Sequence, residues 1–285
     1  MCRALKLGMV FLLVLVSSCL SGPPTDNVGF AGVRSSSYGV DPFPDPEAWE
    51  VYIRAMSDAF PGSKPTALWI VGTIDEAING INLEFPSDGG SYDKISFSSE
   101  GDLHEEFLDW FDAHGVSVFL QVEPGFADVP TLIDLVLDRY GHHPCVIGFG
   151  VDVEWFGNVT EGGEGTPVDD PIASAWESRV QSHDPDYDLF LKHWDTAFMP
   201  PSYRGRIIFV DDGQDYPTLK SYLEDMKEWA DAFVPGRVFF QYGYQSDRPW
   251  WKHFRDPAAW IGRNLAWQTS QECGLFWVDF SCQGS

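Results

Sequence analysis

The chain has 285 residues, of which 43 are acidic and 18 are basic, so its formal net charge is −25. So negative a protein repels phosphate backbones and anionic lipid surfaces, which argues against nucleic acids as partners and against direct membrane binding. Disorder is excluded too, because 44% of the residues are hydrophobic and 15% are aromatic, enough to form a large core.

Residues 1–22 have the pattern of an export signal. A positively charged start precedes an apolar run at 7–16, which is too short to span a bilayer as a helix. Small residues then lead from Val16 into Cys19, which resembles the lipobox of bacterial lipoproteins, where the cysteine is lipidated; an ordinary signal peptide is the alternative. We expect an exported protein, either a cell-surface lipoprotein anchored at Cys19 or an extracellular one, with residues 23–27 as a tether.

Beyond the tether, apolar strand-like runs alternate with stretches of helical periodicity. A helix is predicted to begin at Asp45, a capping residue followed by proline. The long segment between the fifth and sixth strands is predicted to hold helical pieces at 172–181 and 186–198. The predicted strands, in chain order, are 28–34, 66–73, a third at 81–85 or 94–98, 116–123, 146–155, 207–211, 237–242 and 275–280.

Eight strands with interleaved helices predict an α/β fold of the (β/α)8 barrel type, with residues 28–285 as a single domain. The sequence stops just after the eighth strand, so we expect the last helix to be missing or replaced. The main alternative is a doubly wound open sheet. That fold normally carries a glycine-rich phosphate turn after its first strand, and the spacing of Gly29 and Gly32 does not match it.

The barrel hypothesis predicts which side chains face the lumen, because alternate residues of a strand point to opposite sides. Asp152 and Glu154 end the predicted fifth strand, and Gln121 and Glu123 end the fourth, on the face that we assign to the lumen. The same alternation places one polar residue at the inner end of each of five other strands: Arg34, Glu84, Asp211, Gln241 and Asp279.

A pocket rich in carboxylates at this end of a barrel suits the cleavage of glycosidic bonds. One carboxyl group must hold a proton for the leaving oxygen, and another must be ionised to activate water, attack the sugar or stabilise an oxocarbenium-like transition state. Crowded acids push one another's pKa values apart, so both roles become possible at one pH. Charges inside a barrel are costly unless they are paired or functional, which favours a site here.

Residues 148–155 resemble the catalytic strand of family-18 chitinases and related barrel glycosidases, which ends in Asp-x-Glu. The resemblance implies that Glu154 is the general acid and that Asp152 orients either Glu154 or the N-acetyl group of a substrate. The earlier acids of the family's motif correspond to Gly150 and Ile147 in this chain. The family's motif also lies on the fourth strand, whereas these residues fall on the fifth predicted strand.

A second resemblance involves residues 122–124, Val-Glu-Pro. Many retaining barrel glycosidases carry Asn-Glu-Pro at the end of the fourth strand, and its glutamate is their acid/base. Their nucleophile is a glutamate at the end of the seventh strand, where this chain has Gln241. We take Glu123 or Asp211 as the second carboxylate, and Arg34 as a partner that keeps one of the acids ionised.

Aromatic side chains near the predicted strand ends favour a sugar ligand, because the apolar faces of sugars pack on flat rings. Trp155 directly follows Glu154, and Trp277 alternates with Asp279. The predicted substrate-binding residues are Arg34, Glu84, Gln121, Trp155, Gln241, Tyr242, Trp250, Trp277 and Asp279.

We therefore expect an exported, monomeric glycoside hydrolase that acts on a carbohydrate without a cofactor or metal, with Glu154, Asp152, Glu123 and Asp211 as catalytic residues. One alternative is a non-catalytic glycan-binding lipoprotein on a barrel scaffold. Another is a metal-dependent lyase or isomerase with a divalent cation on Glu84, Glu123 and Glu154. The absence of a clear lysine or histidine base at a predicted strand end argues against the latter. His142 and His143 precede a strand, so we expect them to be structural.

Overall fold

The computed structural model describes residues 25–37 and 39–278. The predictions for the export signal, Cys19, Asp279 and the last helix lie outside these residues. Ten strands are numbered in chain order: β1 (Val28–Ser35), β2 (Lys64–Asp75), β3 (Gly80–Leu83), β4 (Ile95–Phe97), β5 (Ser117–Val122), β6 (Val146–Asp152), β7 (Asp188–Lys192), β8 (Ile208–Asp211), β9 (Val238–Tyr242) and β10 (Cys273–Val278).

Eight of these strands form a closed parallel barrel. The order is β1-β2-β5-β6-β7-β8-β9-β10, and β10 pairs with β1 to close the cylinder. α-Helices lie on the outside and connect these strands, as a (β/α)8 barrel requires, except between β7 and β8, where the described connection holds only a 3₁₀ turn, Thr196–Phe198. They are α1 (Pro46–Asp58), α2 (Glu105–His114), α3 (Val129–Tyr140), α4 (Asp170–His183), α5 (Leu219–Ala232), α6 (Arg248–Trp251) and α7 (Pro257–Gln268).

Local sequence fixes where most of these helices begin. At five of them a capping side chain accepts a hydrogen bond from the backbone N–H three residues ahead, which satisfies a donor that the first turn leaves unpaired. Asp45, the predicted cap, bonds in this way to Ala48 N, and proline follows it. The other four caps are Asp128, Asp169, Thr218 and Asp256. Within residues 25–37 and 39–278, none of the helices combines the length and apolarity that a bilayer crossing requires.

The third predicted barrel strand was wrong at both of its alternative positions, and one barrel strand was missed. The segments at 81–85 and 94–98 contain β3 and β4, but neither strand belongs to the barrel. β2 has 12 residues, and its end beyond the barrel pairs antiparallel with β3, which in turn pairs with β4. The fifth barrel strand is β7, which lies in the segment predicted to be helical at 186–198. β7 is short and its apolar residues are buried, so periodicity alone does not distinguish it from a piece of helix.

This correction changes the position of the candidate motif. With β3 and β4 excluded, β5 is the third barrel strand and β6 is the fourth. Asp152 and Glu154 therefore follow the fourth strand, which is where family-18 glycosidases carry Asp-x-Glu.

The lumen of the barrel is a packed apolar layer with five phenylalanine rings that form one connected set of contacts. Phe119 and Phe190, for example, pack edge to face with their centroids 5.9 Å apart. Glycines on β6 leave room for these rings, since a Cβ at Gly150 would lie 1.9 Å from Cζ of Phe190. The layer consists of Phe30, Leu68, Phe119, Phe190, Ile208, Val210, Phe239 and Phe276.

Gly150→Ala should destabilise the barrel by about 1–3 kcal/mol, because the new methyl group overlaps the ring of Phe190 in a filled layer. Urea unfolding followed by circular dichroism measures the change. A second substitution, Phe190→Leu, should recover part of the loss by making space. An unchanged urea midpoint in Gly150→Ala would contradict this packing.

Candidate active site

Polar side chains replace the apolar layer at the carboxyl ends of the strands. Lys192, Asp212 and Gln241 each lie two residues beyond a member of that layer, so they point to the same side of their strands. Arg34, Gln121 and Asp152 occupy the corresponding positions on β1, β5 and β6. All six of these polar side chains are buried: Arg34, Gln121, Asp152, Lys192, Asp212 and Gln241.

Lys192 is at the centre of this polar group. Its Nζ lies 2.8 Å from Oδ2 of Asp152 and also donates to Oδ2 of Asp212. The amide of Gln121 donates to the same oxygen of Asp152 at 3.4 Å. Burial by itself lowers the pKa of Lys192, but the two carboxylates more than offset this, and the pKa lies well above its usual value. The ammonium group therefore stays charged.

The carboxylates around Lys192 outnumber the cations that act on them. Burial raises the pKa of Asp152 well above its usual value, and the charges of Glu154, Asp212 and Glu123 raise it further, although Lys192 opposes them. The other three acids thus compete with Asp152 for one ammonium group. Such competition is the condition under which one carboxyl group keeps its proton while its neighbour is ionised.

Glu154 is the acid that this environment adapts for proton transfer. It follows β6 in a short 3₁₀ turn, Val153–Trp155, and is partly exposed. Burial raises its pKa to about 7, with contributions from Asp212 and Glu123, while Lys192 and Arg34 act in the opposite direction. At neutral pH the group is therefore divided between its protonated and ionised forms, which suits a general acid.

Glu123 and Trp155 line a cleft of about 570 Å³ beside the strand ends. Glu123 directly follows β5 and is 3% exposed. Its backbone N–H donates to Gly72 O at 3.1 Å, and its Oε2 accepts a hydrogen bond from Ile74 N at 3.4 Å, so the extended end of β2 holds it in place. The remaining lining residues are Thr73, Ile74, Glu76, Val159 and Glu161.

The structure brings together most of the predicted site residues. Glu123, Asp152 and Glu154 influence one another's charge, and Gln241 accepts a hydrogen bond from the hydroxyl group of Tyr244 at 3.2 Å. Trp155 lies in the cleft with Glu123, as expected for a ring that could contact a ligand.

Asp211 and Glu84 do not join this group. Val210 faces the lumen, so the next residue, Asp211, faces outward. Its side chain lies in the outer layer, between the barrel and the helices, near Tyr216 and Asp225. Asp212 faces the lumen in its place. Glu84 follows β3, which is not a barrel strand. It accepts from Ser37 and lies 3.3 Å from Nε2 of His104.

Three predicted aromatic residues pack against the outside of the barrel or its helices. Tyr242 and Trp277 pack against each other in the outer layer, with centroids 5.4 Å apart, and Tyr242 donates to Ala258 O. Their strands place Gln241 and Phe276 on the lumen side, so the next residue must face the helices. Trp250, in α6, donates a hydrogen bond to Tyr216 O at 3.0 Å and packs on Tyr222. These contacts hold α6 against α5.

Sequence reasoning missed Lys192 and Asp212. The alternation of Phe190 and Lys192 was a usable signal, but it was hidden by the helical interpretation of the segment. Lys192 also removes an argument used against a metal-dependent lyase, since a lysine does end a strand. The ligand set required by that alternative is still not formed: in the described part of the chain, Glu84, Glu123 and Glu154 do not converge on one point.

Comparisons with known proteins support the fold. No protein-family model and no curated protein matches the chain. A proposed α-L-fucosidase from Bacteroides thetaiotaomicron is similar in structure, with a TM-score of 0.54 and 12% identity over 93% of this chain and 92% of that one. A β-glucuronidase from Parabacteroides merdae gives a TM-score of 0.46 at 12% identity, over 88% of this chain and 31% of its own length. A Thermoanaerobacterium saccharolyticum xylanase gives 0.41 at 11% identity, over 89% and 86%. At these identities the likeness establishes a shared barrel, and the two scores below 0.5 support no conclusion.

Lys192→Met should destabilise the protein by about 3–5 kcal/mol at pH 7, because it leaves two buried carboxylates without their cation. Lowering the pH should recover part of the loss by protonating them. Adding Asp212→Asn should do the same at pH 7. Urea unfolding measures the free energy of unfolding of Lys192→Met at pH 7, of the same variant at lower pH, and of the double variant. Lys220→Met is the control, since the exposed pair of Lys220 and Glu224 contributes less than about 1 kcal/mol. Equal effects of the two lysine substitutions would refute the central role of Lys192.

Glu154→Gln should change how stability depends on pH. The folded state raises this pKa from 4.5 to about 7, so wild-type stability falls as the pH rises through that interval. At about 1.4 kcal/mol per pKa unit, the variant should gain up to about 3 kcal/mol over the wild type between pH 4.5 and pH 8. Chemical denaturation across this range measures the difference. A stability difference between Glu154→Gln and the wild type that stays flat across this pH range would refute the raised pKa.

Proposed function

We propose that this protein is a glycoside hydrolase in which Glu154 is the general acid. The observation that carries the proposal is the combination, at two neighbouring strand ends, of the partly exposed carboxyl group of Glu154, whose pKa is raised to about 7, and a second acid, Glu123, that helps to raise it. A proton donor at this pKa can protonate a glycosidic oxygen near neutral pH. An ionised partner can activate water, attack the sugar or stabilise the oxocarbenium-like transition state.

Glu123 is the better candidate for the second carboxylate. Of the two residues suggested by the sequence, Asp211 lies in the outer layer, whereas Glu123 faces the cleft that Trp155 also lines. An indole ring beside the reacting acids gives a sugar ring an apolar surface to pack on. We infer that the sugar occupies this cleft, with the scissile bond toward Glu154.

Asp152 acts through its position and its contact with Lys192 in this proposal. Lys192 and Gln121 both bind Oδ2 of Asp152, so this carboxyl group is held in place rather than free to turn toward a substrate. Lys192, which Asp152 binds, in turn lowers the pKa of Glu154 and so opposes the effect of burial. The N-acetyl-assisted route implied by the family-18 resemblance would need Asp152 to contact the substrate, and we do not include that route.

Export supports a substrate outside the cell. The pattern of residues 1–22 and the small residues leading into Cys19 favour a secreted or lipid-anchored enzyme, which would meet environmental or surface glycans. The barrel shared with a protein named as a proposed α-L-fucosidase is compatible with this chemistry. The substrate class we propose is therefore a glycan, with its linkage left to assay.

Glu154→Gln should lower kcat by about 10²–10⁴-fold, because the amide keeps the shape of the side chain but donates no proton. Release of reducing ends from a panel of polysaccharides and aryl glycosides measures turnover. Wild-type activity should fall as the pH rises above about 7, where Glu154 loses its proton.

Glu224→Gln is the matched control, since this exposed glutamate lies on α5 and does not line the cleft. It should leave kcat and the pH profile unchanged. Normal turnover in Glu154→Gln would reject the assignment of the acid. Carbohydrate binding by the wild type without any release of reducing ends would favour a lectin on the same scaffold.

A further inference from the structure

A second cluster of ligand-type side chains lies between α2 and the turn that joins α3 to β6, and it contains none of the candidate active-site residues. Glu105 is the first residue of α2, and His142 and His143 are in the turn. One ligand atom from each of these three residues lies within 4.8 Å of the others. The side chain of His143 is 2% exposed, whereas those of His142 and Glu105 are 59% and 40% exposed.

Hydrogen bonds fix which nitrogen of each histidine faces the cluster. Nδ1 of His143 contacts Oδ2 of Asp112 at 2.7 Å, and Nδ1 of His142 contacts Arg139 O at 3.0 Å. A carboxylate and a carbonyl oxygen only accept, so each Nδ1 must carry the hydrogen. In the neutral form of each ring, the lone pair then lies on Nε2.

Both of these Nε2 atoms face the carboxylate of Glu105. The distances to Oε1 are 3.5 Å from His142 and 3.6 Å from His143. Nε2 of His143 is buried and has no hydrogen-bond partner among the described residues. Two nitrogen lone pairs and a carboxylate repel one another unless a cation lies between them.

The spacing suits a tetrahedral metal ion. Ligands at about 2.0–2.1 Å from zinc are about 3.3–3.4 Å apart, close to both observed separations. The contact from His143 to Asp112 is the carboxylate–histidine arrangement that commonly orients zinc ligands. Asp112 is itself held by the backbone N–H of Cys145 at 2.6 Å.

We propose that Glu105, His142 and His143 form a binding site for a divalent cation of the zinc type, with Asp112 as the residue that positions His143. The exposed side of the site leaves room for water as the fourth ligand. A metal here would tie the first turn of α2 to the turn before β6, so its role would be to stabilise the barrel from outside.

Zinc titration of the full chain tests this proposal. After removal of metals with a chelator, the wild type should bind one equivalent of Zn²⁺ in competition with a chromophoric chelator, and zinc should raise its Tm. Glu105→Gln and His142→Ala change partly exposed side chains, so both should fold normally without metal. Each should weaken binding at least about tenfold and lose the rise in Tm. Asp112→Asn should weaken binding by about 10–100-fold.

His183→Ala is the matched control, because His183 lies 3.0 Å from Asp134 and 3.5 Å from Asp138 but has no second histidine beside it. It should bind zinc like the wild type. Cobalt should give a tetrahedral visible spectrum without a thiolate charge-transfer band, which excludes binding by cysteines. The proposal is overturned if the wild type binds no zinc, or if Glu105→Gln and His142→Ala bind it as tightly as His183→Ala does.

Discussion

One buried ammonium group organises the open end of this barrel. Lys192 lies between the carboxylates of Asp152 and Asp212, directly above a layer of phenylalanine rings that offers no polar partner. Without a cation at this point, two carboxylates would face each other in an apolar setting, an arrangement that costs several kcal/mol. The acids of the neighbouring strands can therefore approach one another only because Lys192 is there.

Lys192 does not neutralise all of the acids around it. The remaining negative charge helps to raise the pKa of Glu154, on which the proposed chemistry depends. Lys192 and Arg34 are the cations that act on Glu154, while burial and the acids Asp212 and Glu123 act against them. The balance leaves Glu154 with a pKa near neutrality, although the chain as a whole is strongly acidic. A proton donor and an ionised partner can thus coexist without any metal being required to separate them.

Packing beneath the site determines its shape. The lumen is filled up to the polar residues, because the ring of Phe190 occupies the space that a side chain at Gly150 would take. A ligand cannot enter the barrel and must lie across the strand ends, where the extension of β2 and the turn after β6 form the walls of a cleft. β3 and β4 are therefore relevant to the site although they lie outside the barrel, because they hold this extension in place.

Much of the fold followed from local sequence. Asp45 with its following proline located a helix start, and the alternation of Phe119, Gln121 and Glu123 located a lumen face, because capping and strand alternation depend only on neighbours in the chain. The Asp152–Glu154 pair was found in the same way. These features needed no knowledge of distant contacts.

The remaining features depended on the tertiary structure. A short buried strand such as β7 cannot be distinguished from a piece of helix by periodicity alone, so the segment was interpreted as helical and Lys192 was missed. In the pair Asp211 and Asp212, a register error of one residue exchanges the lumen for the outer layer. Tyr242 and Trp277 were placed in the site for the same reason, since a ring next to a strand end can face either way. The sequence determined the barrel and the acidic strand end. Closure of the barrel decided which side chains meet, because that depends on which strands are neighbours and on which face each residue presents.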